Sequence, residues 1–321
     1  MSRRGAQDGA RIPADRAEVI ARRFGPTGAR FLDELPGRLT NIVGQWGLTL
    51  GKSLPIGIGG YLVEAWTSAG DEAVLKLSPT GGEQDRANKL EAYALERWNG
   101  HGAVQLLMAD VSAGALLVER CVPGETIDTL PDDETVTTSC ALAKQLHRVP
   151  DGEDERLLSN AIEQIAGIVG RLSRSMETMG HPLSAHSERM IERVHRDVAA
   201  ASERVVVCHG DLNPGNVLSA QRAAWLAVDP LPVLAPEAYD AVSLVWSKRD
   251  WLLAQPDPAR VLQRRIELAA DTIGVSPQNV WAWTLVRVIG VLISRFSWGG
   301  YNEAPFVTVV EHLCSQPPTA A

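Results

Sequence analysis

The chain has 321 residues, 45% hydrophobic and 22% charged, ordinary globular values that exclude disorder over most of its length and suggest two domains or one two-lobed unit. Its 28 Gly and 19 Pro follow no period, so collagen-like and linker architectures are excluded. A net charge of −8, from 31 basic and 39 acidic residues, disfavours a nucleic-acid binder, which needs a basic surface to displace counterions; it is compatible with a cationic small-molecule ligand.

Residues 1–13 are polar and basic, without the apolar core of a signal peptide, so a cytoplasmic protein is expected. Helical patterns follow at 15–23 and 27–46. Then the texture changes. SLPIG, YLVEAW and AVLKL, between residues 53 and 77, read as three antiparallel strands separated by IGG and TSAGDE. A helix is expected over 83–98, followed by two more strands, VQLLMAD and GALLVER. Past Val122 the pattern is helical at 132–148, 156–178, 185–201, 259–273 and 277–297, with one strand-rich island at 204–229. Ser276 and Pro277 suit an N-cap and first helical residue. Segment 285–294 is apolar but interrupted by Arg287, and is far too short to span a membrane. Cys121, Cys140, Cys208 and Cys314 are widely spaced, with no metal-site spacing, and read as thiols in a reducing compartment.

These elements predict an α+β architecture. A helical extension occupies 1–46, a small five-stranded antiparallel β-rich lobe with one helix 47–118, a hinge 119–123, and a larger, mainly helical lobe 124–321. A cleft between such lobes is where small ligands bind.

The chemistry concentrates in VVVCHGDLNPGNVL, residues 205–218. A β-branched run leads into His209, Gly210 and Asp211. Asn216 lies five residues after Asp211, and Asp229 closes WLAVD eighteen after it. Two of these three oxygen-bearing side chains can hold Mg²⁺, while the third takes or orients a proton. Phosphoryl transfer needs little beyond such positioning and charge neutralisation.

His-Gly-Asp-x-x-x-x-Asn followed by Asp at this spacing resembles the catalytic loop of the aminoglycoside phosphotransferase superfamily, relatives of the protein kinases. Leu142-Ala143-x-x-Leu146-His147-x-x-Pro150, Trp98-Asn99-Gly100-x-Gly102-Ala103-Val104 and Trp225-Leu226-Ala227-Val228-Asp229-Pro230 look like its streptomycin 6-kinase and hydroxyurea phosphotransferase branch. The resemblance runs from about residue 30 to residue 300. It implies a protein-kinase-like bilobal fold, with ATP and Mg²⁺ as donor and cofactor. The acceptor it implies is a small hydroxylated molecule, foremost a streptomycin-type aminoglycoside. No nucleic-acid or membrane partner is expected, and the chain is expected to act as a monomer.

Asp211 takes the role of catalytic base, and by resemblance Asn216 and Asp229 are the Mg²⁺ ligands. His209 is expected to brace the loop through its ring. Strand alternation puts Val74 and Lys76 on one face. There a lysine can hold α- and β-phosphate oxygens while Val74 packs on the base. Glu91, on the following helix, resembles the glutamate that pairs with this lysine; Glu83 and Glu96 are its rivals. Gly57, Gly59 and Gly60 stand between the first two strands, where a backbone without Cβ atoms can approach phosphates. Glu119 and Cys121, in the connector Glu119-Arg120-Cys121-Val122, correspond to the hinge whose backbone bonds adenine.

Departures matter too. Gly210 stands where protein kinases carry Arg, and Pro230 follows Asp229, so no Asp-Phe-Gly is present. A small-molecule kinase is therefore favoured over a protein kinase. Asn213 stands where many relatives have His. Asp240 resembles a structural brace of the loop. Trp281 and Trp283 read as core, whereas Trp246, Trp251 and Trp298 are candidates to line an acceptor pocket. Asp132, Asp133 and Glu134 suit a helix N-terminus. Two other functions compete: a sugar or metabolite kinase of the same fold, and a non-catalytic nucleotide-binding pseudokinase.

Overall fold

In the computed structural model the described residues are 12, 14–54, 60–201, 203–298 and 304–318. The chain divides into two compact units. One holds the chain up to Gly124 together with Ser219–Val228, and the other holds Glu125–Leu218 and the chain from Asp229 on.

The first unit begins with α1 (Ala14–Phe24) and α2 (Pro26–Trp46). Phe31, Leu35, Leu39 and Ile42 recur at helical spacing and make one buried stripe on α2. Five strands follow: β1 (Thr49–Ser53), β2 (Tyr61–Trp66), β3 (Glu72–Leu77), then β4 (Leu106–Asp110) and β5 (Ala115–Glu119). Helix α3 (Glu83–Trp98) is inserted after β3. Their order in the sheet is β1-β2-β3-β5-β4, with every pairing antiparallel. Along β3, Ala73, Leu75 and Leu77 are fully buried, while Val74 and Lys76 on the opposite face are half-buried. The buried face packs on Ile20 of α1 and on the α2 stripe. The N-terminal helices thus contribute to this core rather than standing apart as an appendage.

The first strand overlaps the expected SLPIG at Ser53, and residues 55–57 of that run lie outside the described residues. Thr49, Leu50 and Ser53 pair with Trp66, Ala65 and Val63. A second difference concerns Ser219–Val228, which the sequence reading put in the helical lobe. It carries β8 (Trp225–Ala227), and Ala227 exchanges backbone bonds with Gly102 (2.9 Å) and Val104 (3.0 Å). Arg222 bonds the carbonyls of Gly100 and Ala103 and both oxygens of Glu119.

The second unit is mainly helical: α4 (Asp132–Leu146), α5 (Gly152–Leu157), α6 (Ala161–Thr178) and α7 (Ala185–Ala200), followed by β6 (Val206–Cys208) and β7 (Val217–Ser219). After the Ser219–Val228 excursion come β9 (Val233–Ala235), α8 (Val242–Val245), α9 (Arg249–Leu253), α10 (Pro258–Ile273), α11 (Pro277–Trp298) and α12 (Ala304–Ser315). The Ser276 hydroxyl caps α11 at Asn279 N–H (3.1 Å). β6 pairs antiparallel with β9. Trp281 and Trp283 sit in the core, 1% exposed each. Asp132, Asp133 and Glu134 do form the first turn of α4. Asp132 also holds the buried Arg265 through two bonds of 2.9 and 2.6 Å, and Arg265 bonds the carbonyls of Val245 and Ser247 as well. Among the described residues no helix is long and apolar enough to cross a membrane.

Candidate active site

In the first unit, Lys76 is on the central strand and Glu91 on α3. The lysine Nζ lies 2.7 Å from both carboxylate oxygens of Glu91, with the two side chains 13% and 9% exposed. Glu91, not Glu83 or Glu96, is the partner. Val74 shares the lysine's face. Gly60 lies so close to β3 that a Cβ there would stand 2.3 Å from the Leu77 carbonyl oxygen. Its missing side chain therefore serves packing against β3. Gly57 and Gly59 lie outside the described residues. Glu119 is committed elsewhere than its sequence position suggests: its N–H donates to the Gln105 carbonyl, and its carboxylate accepts from Gln105 N–H and Arg222. Burial, reinforced by Glu119, pushes the half-buried Cys121 thiol up to about 12, so it stays protonated.

In the second unit, β6 delivers the loop His209–Asn213. Asp240, 2% exposed, accepts the N–H groups of His209 and Gly210, each at 2.8 Å. His147 Nε2 lies 3.1 Å from the same carboxylate. Burial alone would raise the Asp240 pKa; the hydrogen bond and charge of His147, with His209 and the Gly210 N–H, hold it below the ordinary range. Cys208 joins His147 and Asp240 within 4.8 Å. Its thiol, though, is pushed well up by burial and donates to backbone carbonyls, so the trio acts as a brace. His209 is fully buried, with its Nδ1 accepting from Asp211 N–H at 3.4 Å.

Gly210 has φ +82°, and a Cβ there would stand 1.9 Å from the Leu231 carbonyl oxygen. This is the physical reason that no arginine occupies the position. The Leu231 N–H also bonds the His209 carbonyl (2.9 Å), so segments 209–211 and 229–231 are pressed together. Asp229 sits beside this contact, exposed and left-handed at φ +57°, a conformation Asp tolerates better than most residues.

Asn216 points its amide N–H groups at the Asp211 carbonyl (2.9 Å) and carboxylate (3.3 Å). That leaves its amide oxygen turned away from Asp211. The Asp211 pKa is raised, first by burial and then by the Asp229 charge; Asn213, Arg287 and Asn216 partly offset this. Two carboxylates and one amide oxygen thus share one locality. An oxygen-only donor set suits a hard divalent cation such as Mg²⁺, and the mutual repulsion of Asp211 and Asp229 is what such a cation relieves. The residues therefore fit the metal.

Beside Asp211 opens a cavity of about 560 Å³. Trp246 and Trp251 line it, as two of the three candidate tryptophans; the Trp298 side chain lies outside the described residues. Arg287, Lys248, Arg249 and Asp250 line it as well. Sequence reasoning gave none of these four a role. The available signal was Arg287 itself, a charge interrupting an apolar helical run.

A profile of the aminoglycoside/hydroxyurea antibiotic resistance kinases matches residues 45–293. The chain belongs to that family. It is 30% identical over 285 residues to a streptomycin 6-kinase of Streptomyces glaucescens, covering 87% of this chain and 88% of that one. To a hydroxyurea phosphotransferase of Kitasatospora aureofaciens it is 29% identical, covering 87% and 78%. Among solved structures it resembles a macrolide 2'-phosphotransferase of Brachybacterium faecium, with a TM-score of 0.57, 14% identity and coverage of 90% and 100%. An aminoglycoside phosphotransferase mutant in ternary complex with ADP and hygromycin B gives a TM-score of 0.57 at 17% identity, covering 86% and 97%. This kinase therefore has the α+β, protein-kinase-like fold of the antibiotic phosphotransferases, and it is an O-phosphotransferase of that family.

Proposed function

We propose that this kinase transfers the γ-phosphoryl group of ATP, with Mg²⁺, to a hydroxyl of a small molecule. The observation that carries this is the convergence of Asp211, Asn216 and Asp229 beside one braced loop, with the base candidate hydrogen-bonded by Asn216 and its pKa raised by burial and by Asp229. The acceptor oxygen attacks the γ-phosphorus. The bond to the β–γ bridging oxygen breaks, ADP departs with its electron pair, and the hydroxyl proton passes to Asp211. Asn216 and Asp229 would hold the metal, which would supply neutralisation of phosphate charge. Lys76, fixed by Glu91, holds α- and β-phosphate oxygens, with Val74 against the base. The run Gly57, Gly59 and Gly60, lacking Cβ atoms, is where the backbone would approach the phosphates. With its N–H committed, Glu119 offers adenine its carbonyl, and Cys121 its N–H.

A streptomycin-type aminoglycoside is the acceptor suggested by the relatives' names. A sugar or metabolite kinase is the second reading, and the cavity's positive charge favours it. The test is ATP consumption with and without Mg²⁺ across aminoglycosides, sugars and hydroxyurea, with GTP as a parallel donor. Asp211→Asn should lower turnover by about 10²–10⁴-fold, the scale of general-base catalysis. Undiminished turnover in that variant would refute the assignment.

A further inference from the structure

The cavity beside Asp211 runs against the charge of the chain that contains it. Overall the net charge is −8, yet among the described residues lining this cavity the cations Lys248, Arg249 and Arg287 outnumber the carboxylates Asp211 and Asp250. In the proposed reaction Asp211 is occupied with the acceptor proton, and Asp250 is exposed to solvent. Lys248 is held in place by the carbonyls of Asp128 (2.8 Å) and Leu130 (3.5 Å), bonds that leave its charge intact. Arg249 lies over the Phe306 ring at 4.2 Å.

Arg287 is the most informative of the three. It projects from α11 on the half-buried side that it shares with Gly290 and Val291, while its sequence neighbours Val286 and Val288 are buried. Its guanidinium lies over the Tyr239 ring at 4.8 Å. A guanidinium held over an aromatic face keeps its five N–H donors for other partners. Among the described residues no hydrogen bond or ion pair takes them up. A planar fork with available donors matches a carboxylate or phosphate. Trp251, 45% exposed, and Trp246 add aromatic faces suited to the C–H face of a sugar ring.

We infer that the acceptor carries an anionic group on a polyhydroxylated ring, a sugar acid or a sugar phosphate, with Arg287 gripping the anion and a tryptophan covering the ring. The inference rests on the kinase reading of Asp211. A polycationic aminoglycoside entering the same cavity meets the like charges of Lys248 and Arg287.

Calorimetry on the full chain, saturated with Mg²⁺ and a non-hydrolysable ATP analogue, tests this. The probes are D-glucuronate, D-glucose 6-phosphate, D-glucose and streptomycin. At least one acid should bind roughly tenfold or more tightly than glucose, the scale of one charge-assisted hydrogen bond, and the gap should narrow with added salt. Which acid binds better separates a carboxylate from a phosphate. Arg287→Gln should erase the gap, whereas Arg287→Lys, which keeps the charge, should retain part of it. Nucleotide titration of each variant reports whether it is folded. Neither acid binding better than glucose, streptomycin binding better than both, or a gap that survives Arg287→Gln overturns the inference. If the analogue itself binds equally with and without Mg²⁺, the kinase reading fails instead. The two failures are therefore distinguishable.

Discussion

Replacing Gly210 with alanine asks whether the catalytic loop tolerates any side chain at that point. The added Cβ would lie 1.9 Å from the Leu231 carbonyl oxygen, so the two segments must separate by about 1.1 Å to reach the 3.0 Å that real contacts respect. Holding alanine at φ +82° costs a further ~1–2 kcal/mol. In a unit of this size that corresponds to a fall in apparent Tm of roughly 2–8 °C. The functional effect is larger. Asp229 lies two residues from Leu231, and Asp211 follows Gly210 directly. Spreading the segments moves the proposed base away from a proposed metal ligand, and a 1 Å misplacement costs about 10²-fold in rate. The assay is kcat at saturating Mg²⁺, ATP and acceptor, alongside thermal unfolding. A Gly210→Ala enzyme with unchanged kcat and Tm would show that the two segments are not pressed together and that the loop geometry argued above is wrong.

The opposite sign is expected at Gly44, which lies exposed inside α2 with no neighbouring atom within 4 Å of where a Cβ would stand; Gly44→Ala should stabilise by about 0.5–1 kcal/mol, read by urea unfolding. Lys76→Ala should raise the KM for ATP, and Glu91→Ala should do so less, because Glu91 only holds the lysine; equal wild-type values for both would place the nucleotide elsewhere. Asp229→Asn should weaken the response to Mg²⁺, with part of the activity recovered at high Mg²⁺, whereas Asp211→Asn should show no such rescue. Asp211→Asn should also raise the Tm near neutral pH. The folded-state pKa of Asp211 is raised, so the fold favours its neutral form, and this contribution to stability is lost as pH rises through the folded pKa. The Tm gain should shrink toward zero below about pH 4, the ordinary carboxylate range; a gain that persists there would mean that charge is not its cause.

Local chemistry made much of this molecule legible in its sequence. Alternation along AVLKL puts Lys76 opposite the buried Ala73, Leu75 and Leu77, and the helix expected over 83–98 is α3. The Asp211–Asn216 hydrogen bonds span five residues, and such proximity is written into spacing. Pairings across long separations leave no comparable mark. Arg222 reaches Glu119 over 103 residues with no motif to announce it, and His147 meets Asp240 over 93, although its Leu-His segment stood out as a resemblance. The packing of α2 under the sheet depends on shape matching that an apolar stripe alone does not specify. Helix α12 was not anticipated, for its apolar residues, with Phe306, Val309, Val310 and Leu313 buried, show little contrast with their neighbours. The Arg287 guanidinium is the converse case: the interruption of an apolar run was visible, but the cavity that explains it was not.

The discontinuity of the first unit bears on how the chain is made. Its last contribution, Ser219–Val228, leaves the ribosome after some hundred residues that belong to the other unit. At about 5–20 residues per second the nascent β-sheet waits roughly 5–20 s for Arg222 and β8. During that interval Glu119 lacks its guanidinium partner and the carbonyls of Gly100 and Ala103 lack their donor. Synthesis order therefore leaves the N-terminal unit incomplete until much of the C-terminal one exists, and a fragment ending at Gly124 is denied the same pieces permanently.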